Sequence, residues 1–241
     1  MTTQASRETS RLYEEVPELA AIGIRAFTTT RLAGSFAVAS DEPVRDVIAR
    51  WDRLRDELST AGPRLATARQ VHGDRVISHG TGWAGWLRGG DADGHFALDR
   101  GTGMAVSIAD CVPVFVTHSS GAAALLHSGW RGTASRIVER AIDLFESRGM
   151  PGSELTLHLG PAICSDCYEV SPDVFERLTG RSVGRATTVD LRALIADHAR
   201  QRGVRRISIS EDCTRCNNDR FYSHRAGDAG RQLGVLIAPL R

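Results

Sequence analysis

Lysine is absent from the chain: all 30 basic side chains among its 241 residues are arginine. Without a lysine amine there is no pyridoxal Schiff base, no Walker-type phosphate lysine and no protein-kinase lysine. Neither sign of charge is in excess, since 30 basic groups meet 29 acidic ones. That balance argues against a nucleic-acid or anionic-membrane partner held by bulk electrostatics. No apolar run reaches the length of a membrane span. Met1 to Glu15 carries Glu8, Glu14 and Glu15 and no apolar core, so it does not read as a signal peptide. Five cysteines cannot all pair within one chain. The expected setting is a reducing cytoplasm, where clustered cysteines serve as ligands or catalytic groups more often than as bridges.

Several metal motifs are missing too. None of the eight histidines is followed two residues later by histidine or glutamate. This excludes the H-x-E of zinc nucleobase deaminases, and since no histidine is followed directly by glutamate the H-E-x-x-H signature of zincin proteases is absent as well. Lacking any H-x-H pair, the histidines are also too few for a trinuclear copper cluster plus a blue-copper site.

What is present is the patterning of one globular domain, with a 41% hydrophobic content and no internal repeat. Asp41 to Leu58 repeats apolar residues at helical spacing (Val44, Val47, Ile48, Trp51, Leu54, Leu58), as does Thr133 to Arg148. Leu191, Leu194, Ile195 and His198 predict a third helix, closed by Gly203. Short β-branched runs at Ile22–Phe27, Val112–Val116, Ala122–Leu126, Leu155–Leu159, Ile207–Ile209 and Val235–Ile237 predict strands, several buried on both faces. Gly80 to Gly94, rich in glycine and tryptophan, reads as an irregular loop. Strands and helices mix without a strict βαβ rhythm, so the expected fold is a single mixed α/β domain.

Three polar residues interrupt this pattern. His72 precedes the apolar pair Val76-Ile77, Cys111 opens the strand Val112–Val116, and His127 closes the run Ala122–Leu126. Two of them stand at the ends of buried strands, where α/β sheets place their chemistry. Two imidazoles and a thiolate suffice for Zn²⁺ with an open fourth position. Each residue has a plainer role open to it, as a hydrogen-bonded surface histidine or a small buried thiol. The segment Ser128–Thr133 leads into a helix through Gly129 and Gly132, and offers amide groups and the Arg131 fork to an anion, or simply a glycine-containing helix entry. His198 falls on its helix's apolar stripe. His79, His95, His118 and His158 are expected in loops or on strand surfaces. Cys164-x-x-Cys167 and Cys213-x-x-Cys216 would together suit a structural Cys₄ zinc site, although the stretch between them is longer than in a zinc ribbon.

Taken in order, Thr29-Thr30-Arg31, Gln70-Val71-His72-Gly73, Asp91-Ala92-Asp93-Gly94, Ala109-Asp110-Cys111-Val112-Pro113 and His127-Ser128-Gly129-Trp130-Arg131-Gly132 resemble one family. Gly160-Pro161-Ala162-Ile163, Cys167-Tyr168-Glu169-Val170, Cys213-Thr214 and Phe221-Tyr222-Ser223-His224-Arg225 continue the resemblance to the C-terminus. The family is the YfiH type, long labelled multicopper polyphenol oxidase or laccase-domain, which includes purine nucleoside phosphorylases. The resemblance implies mixed β-sheets flanked by helices over residues 21–241, with residues 1–20 as an N-terminal extension open to disorder. It implies zinc held by His72, Cys111 and His127, and phosphate or substrate contacts from Arg31, Arg131 and Arg225. The implied activity is phosphorolysis of adenosine, inosine or methylthioadenosine, with adenosine deamination as a side activity. Some members are described instead as peptidoglycan-editing factors. The chain departs from the pattern at Leu32-Ala33-Gly34-Ser35, where the family has Gly-Gly, and at Cys164, where it has glycine or a polar residue. Three other classes remain open on the residues: a copper polyphenol oxidase, a metal-free hydrolase with Cys111 activated by His72 or His127, and a non-catalytic cell-wall accessory protein.

Overall fold

Strands built from runs such as Val112–Val116 have no polar face and must be covered on both sides. The computed structural model, which describes residues 12–240, does this with four layers: helix, sheet, sheet and helices. The first sheet runs β1 (Tyr13–Glu15), β2 (Arg25–Thr29), β14 (Gln232–Ile237), β7 (Thr102–Ile108), β3 (Arg64–Arg69), β5 (Gly85–Asp91). The second runs β13 (Arg206–Ile209), β10 (Thr156–Leu159), β8 (Val112–Thr117), β9 (Ala123–Ser128), β6 (Gly94–Ala97), β4 (Val76–His79). A ribbon of β11 (Glu169–Val170) and β12 (Thr187–Thr188) stands apart.

Side chains alternate between the two faces of each strand. Ala26, Met104, Val106, Ile108 and Leu236 of the first sheet meet Phe115, Ala123 and Leu125 of the second between the layers. The opposite faces are covered by helices. On the first sheet, Val47, Trp51, Leu54 and Leu58 of α2 (Val44–Ser59) pack on Phe27, Leu65, Leu233 and Val235. On the second, α4 (Ile137–Glu146) and α6 (Leu191–Gln201) cover Val112, Val114, Val116, Ala124 and Leu126. Phe145 of α4 meets Phe96 edge-on at 4.9 Å between centroids. Burying each such side chain contributes about 1.5–3 kcal/mol. The remaining helices are short: α1 (Pro17–Ala20), α3 (Trp130–Ala134) and α5 (Pro172–Thr179). Among the described residues no helix is long and apolar enough to cross a membrane.

The single mixed α/β arrangement follows the sequence expectation, and the structure corrects four details. Residues 1–11 lie outside the described residues, but the rest of the expected extension is packed: β1 pairs antiparallel with β2, and Val16 and Leu19 are buried. Gly80 to Gly94 contains β5, a parallel partner of β3, because Trp86 stacks on Trp51 (4.9 Å) and bonds Thr67 Oγ1 through its indole N–H at 2.9 Å. The helix expected over Thr133–Arg148 breaks at Arg136, whose φ of 59° is left-handed, giving α3 and α4. His79, His95 and His158 are buried strand residues. His79 and His95 share a ring-nitrogen hydrogen bond of 3.0 Å, and His158 Nδ1 pairs with Ser208 Oγ at 2.8 Å. Burial, with His79 adding to it, pushes His95 down to about 3.

Candidate functional site

The register of the second sheet gathers the chemistry at one end. β8 and β9 run antiparallel with Pro113 opposite His127 and Val112 opposite Ser128, so Cys111 and His127 emerge side by side. β6 pairs with β9 from Gly94–Leu126 onward, which sets Asp93 beside His127, and the His127 amide donates to the Asp93 carbonyl at 2.7 Å. β4 runs parallel to β6, so the loop carrying His72 reaches the same end. The result is that His72, Cys111 and His127 offer ligand atoms all within 4.8 Å of one another. The two imidazoles meet nearly edge to face, 4.8 Å between centroids.

Asp93 organises this end, and its side chain is fully buried. One carboxylate oxygen accepts from the Val71 and Gly73 amides (3.0 and 2.8 Å), the other from the His72 amide (2.9 Å) and His127 Nδ1 (2.8 Å). Burial raises the Asp93 carboxyl, but these donors outweigh it and hold its pKa below the usual value. The bond to Nδ1 leaves His127 Nε2 to face Cys111. The three amide bonds fix residues 71–73 so tightly that His72 adopts a left-handed φ of 59°. Asp110, left-handed at φ 81°, is held likewise: its carboxylate accepts from Thr214 Oγ1 (2.6 Å) and the Arg225 amide (2.7 Å).

Charge on Cys111 and on His127 is coupled. Burial pushes the Cys111 thiol up, but His127 and His72 together draw it down to about 6. Burial opposes protonation of His127, while Cys111 and Asp93 lift it to about 9. Gly129 is required by crowding: a Cβ there would lie 2.8 Å from Cys111 Sγ and 3.3 Å from His72 Cδ2. The donor set fits a tetrahedral divalent metal: two imidazoles, an easily ionised thiol, and a carboxylate orienting one imidazole.

The three expected arginines separate. Arg131 is exposed, and its guanidinium lies over the Trp130 ring at 4.4 Å. Arg225 stacks over Tyr168 (5.1 Å) and donates to the Glu169 carbonyl. Arg31 is an anchor instead: it bonds the Asn218 and Phe221 carbonyls, pairs with Asp228 and lies over Tyr222. Its Nε and Nη2 donors are thus engaged by the 217–228 loop. The helix dipole expected at Ser128–Thr133 also shrinks, since α3 has only five residues. Tyr168 is a neighbour that single-residue reading missed. Burial, reinforced by the charge of Cys111, pushes its phenol up to about 12, against Arg225 and Arg131. Asp93 was visible in sequence only as part of Asp91-Ala92-Asp93-Gly94, an acidic turn opening a strand. The C-x-x-C cysteines also converge, with their four Sγ atoms within 4.8 Å of one another. His198 is buried on its helix, as its position predicts. A G-x-S-x-G match at Gly180–Gly184 follows α5, with Ser182 exposed and bonded to Glu176 at 2.8 Å, and is no strand-to-helix elbow.

Comparison with known proteins agrees with this architecture. A family described as "Multi-copper polyphenol oxidoreductase laccase" matches residues 26–239. A Mycobacterium tuberculosis protein named purine nucleoside phosphorylase is 32% identical over 233 residues, covering 89% of this chain and 92% of its own length. A protein named adenosine deaminase RL5, from an unknown prokaryotic organism, is 32% identical over 151 residues, covering 56% of this chain and 55% of its own. The crystal structure of YlmD from Geobacillus stearothermophilus superposes with a TM-score of 0.83 at 26% identity, covering 93% of this chain and 94% of that one. That of Bacillus licheniformis hypothetical protein YfiH gives 0.83 at 22%, covering 94% and 96%. The chain therefore belongs to the multi-copper polyphenol oxidoreductase laccase family, the YfiH type whose ordered motifs it carries.

Proposed function

We propose that this chain is a purine nucleoside phosphorylase, acting on adenosine, inosine or methylthioadenosine, with adenosine deamination as a side activity. The observation that carries the reading is the convergence of His72, Cys111 and His127 around one point, braced by buried Asp93. Support comes from relatives named for these two activities. The residues at this point suit zinc, which would be held by His72, Cys111 and His127. When bound, it supplies Lewis-acid polarisation of an oxygen ligand.

The chain's own groups divide the remaining work. Arg131, Arg225 and Cys111 all lie within electrostatic reach of Tyr168, and the two arginines attract phosphate by charge, Arg131 with a fork that meets no carboxylate among the described residues. Asp93 holds the His127 ring in one tautomer and orientation. Tyr168 offers an O–H to a departing purine nitrogen, and its stack with Arg225 fixes the ring. Arg31 contributes by anchoring the loop that carries Arg225. Phosphate then attacks the anomeric carbon, the glycosidic bond breaks with oxocarbenium character, and the base leaves protonated. Such an enzyme has small-molecule substrates and belongs in the cytoplasm.

Copper oxidation fits less well. Among the described residues the histidines do not gather into a trinuclear cluster, and the two metal-competent groups are the His₂Cys set and the four cysteines. A metal-free cysteine hydrolase has one observation in its favour, the serial order Asp93, His127, Cys111 of orienter, base and nucleophile. The test is a nucleoside panel incubated with and without phosphate, with products separated by chromatography. Base plus ribose 1-phosphate, formed only with phosphate, supports the proposal. Absence of phosphate-dependent base release from every nucleoside refutes it.

A further inference from the structure

The upstream C-x-x-C and the downstream C-x-x-C are brought together at the same end of the second sheet as the trio. β10 and β13 run parallel, Leu159 opposite Ile209, so the loops that follow them leave the sheet side by side. An isolated parallel bridge, Ala162 with Cys213, ties those loops, and the Thr214 amide donates to the Ala162 carbonyl at 3.2 Å. Cys164 precedes and Cys167 ends a single 3₁₀ turn, Ser165–Cys167. Cys213 and Cys216 flank a second tight turn, closed by the Asn217 amide on the Cys213 carbonyl at 2.8 Å. The pairs sit 49 residues apart in sequence, yet Cys167 Sγ and Cys216 Sγ approach to 3.5 Å. All four Sγ atoms lie within 4.8 Å of one another.

We propose that Cys164, Cys167, Cys213 and Cys216 form a second, structural metal centre that binds one zinc ion through four thiolates. Tetrahedral zinc with Zn–S bonds of about 2.3 Å sets its sulfurs about 3.8 Å apart. The four atoms are already gathered near that spacing, so binding demands little movement. Two amides point at the cluster: Cys164 N donates to Cys213 Sγ at 3.2 Å and Cys216 N at 3.4 Å. N–H donors of this kind stabilise thiolate rather than thiol, which is the state a ligand needs. Four soft sulfur donors in a closed set, with no imidazole or carboxylate among them, select zinc over magnesium, calcium or manganese. As each thiol coordinates, its proton passes to solvent. No neighbouring residue has to change its charge.

The position of the cluster gives it a purpose. Tyr168 follows Cys167 directly, and Thr214 follows Cys213 and bonds the Asp110 carboxylate beside Cys111. An ion here would clamp the two loops that flank the candidate site and contribute folding free energy of its own. This inference rests on the four-sulfur geometry alone and stands apart from the nucleoside reading.

The test is metal analysis by inductively coupled plasma mass spectrometry on protein purified under reducing conditions. Wild type is expected to hold about two zinc per chain, and His72→Ala/His127→Ala about one. Cys164→Ser/Cys216→Ser should also keep about one. Wild type holding about one, lost with the two histidines and unchanged without the two cysteines, overturns the proposal. If the cysteine variant fails to fold, cobalt titration of metal-free His72→Ala/His127→Ala decides. Intense thiolate-to-cobalt bands with tetrahedral d–d absorption support a four-sulfur centre, and their absence overturns it. A Cys167–Cys216 disulfide in place of metal, found by non-reducing mass spectrometry, also overturns it.

Discussion

Gly129→Ala separates the candidate site from the fold more cleanly than removal of a ligand does. The backbone of Gly129 is extended (φ −83°, ψ −173°), a conformation open to alanine, so the substitution adds no main-chain strain. The new methyl carbon would sit 2.8 Å from Cys111 Sγ and 3.3 Å from His72 Cδ2. Ordinary carbon contacts are about 3.5–4.0 Å, so the overlap with the sulfur is about 0.7–1.2 Å. Relief requires Cys111 or the turn at 129 to move by most of that distance. Overpacking of this size costs about 1–3 kcal/mol. For a chain of this length that is roughly a 2–12 °C fall in melting temperature. The effect on chemistry should be larger, because an ångström of misplacement costs on the order of 10²-fold in rate. The assay is phosphate-dependent base release, with zinc content and thermal unfolding measured on the same preparation. Gly80→Ala, whose Cβ would meet nothing within 4 Å, is the control and should leave all three readings unchanged. Wild-type kcat/KM and zinc content in Gly129→Ala would refute the site as built.

Four other outcomes are expected. Arg131→Ala should raise the KM for phosphate by about 10–100-fold with little change in melting temperature, since its guanidinium stacks on Trp130 and meets no carboxylate among the described residues; an unchanged phosphate KM counts against it. Arg31→Ala should behave oppositely, costing about 1–3 kcal/mol in chemical denaturation through the stranded Asp228 and freed carbonyls, with phosphate KM nearly constant. Asp93→Asn should weaken metal retention by about 10–100-fold in a chelator competition, because an amide cannot accept from all four of its present donors. Stability should fall with acidity through His95, kept neutral in the fold by burial and by His79, with Asp93 opposing. Its folded value of about 3 lies below the ordinary 6.5, so its contribution is complete above pH 6.5 and is lost as pH falls from there toward 3. From pH 7 to 5 the loss is about 2 kcal/mol, and His95→Gln should flatten that slope in urea titrations.

Much of the architecture was legible because burial on both faces leaves unbroken apolar runs. The strands at Val112–Thr117, Ala123–Ser128 and Thr156–Leu159 announce themselves this way. β3, β5 and β7 did not, because their sequences (Arg64–Arg69, Gly85–Asp91, Thr102–Ile108) mix glycine, arginine and threonine into the strand. Their assignment depends on what they touch: Trp86 on Trp51, and Arg64 buried against Thr102 and the Arg100 carbonyl. The break at Arg136 was hidden for a similar reason, since helical spacing of apolar residues continues across it.

The candidate site was legible as an ordered set of motifs and not as a geometry. Spacing along the chain says nothing about whether His72 reaches Cys111; the parallel pairing of β4 with β6 and the antiparallel pairing of β6 and β8 with β9 decide that. Asp93 carries no local signal for its role, because its four donors come from two separate segments. The Arg31 anchor was hidden for a similar reason: its carboxylate partner, Asp228, lies 197 residues away and only the fold introduces them.

The central claim is tested most directly by zinc content and nucleoside phosphorolysis measured together on purified Cys111→Ala. Loss of the metal held by His72, Cys111 and His127, together with loss of phosphate-dependent base release, is the predicted result. Base release at the wild-type rate, or undiminished zinc, would contradict the account.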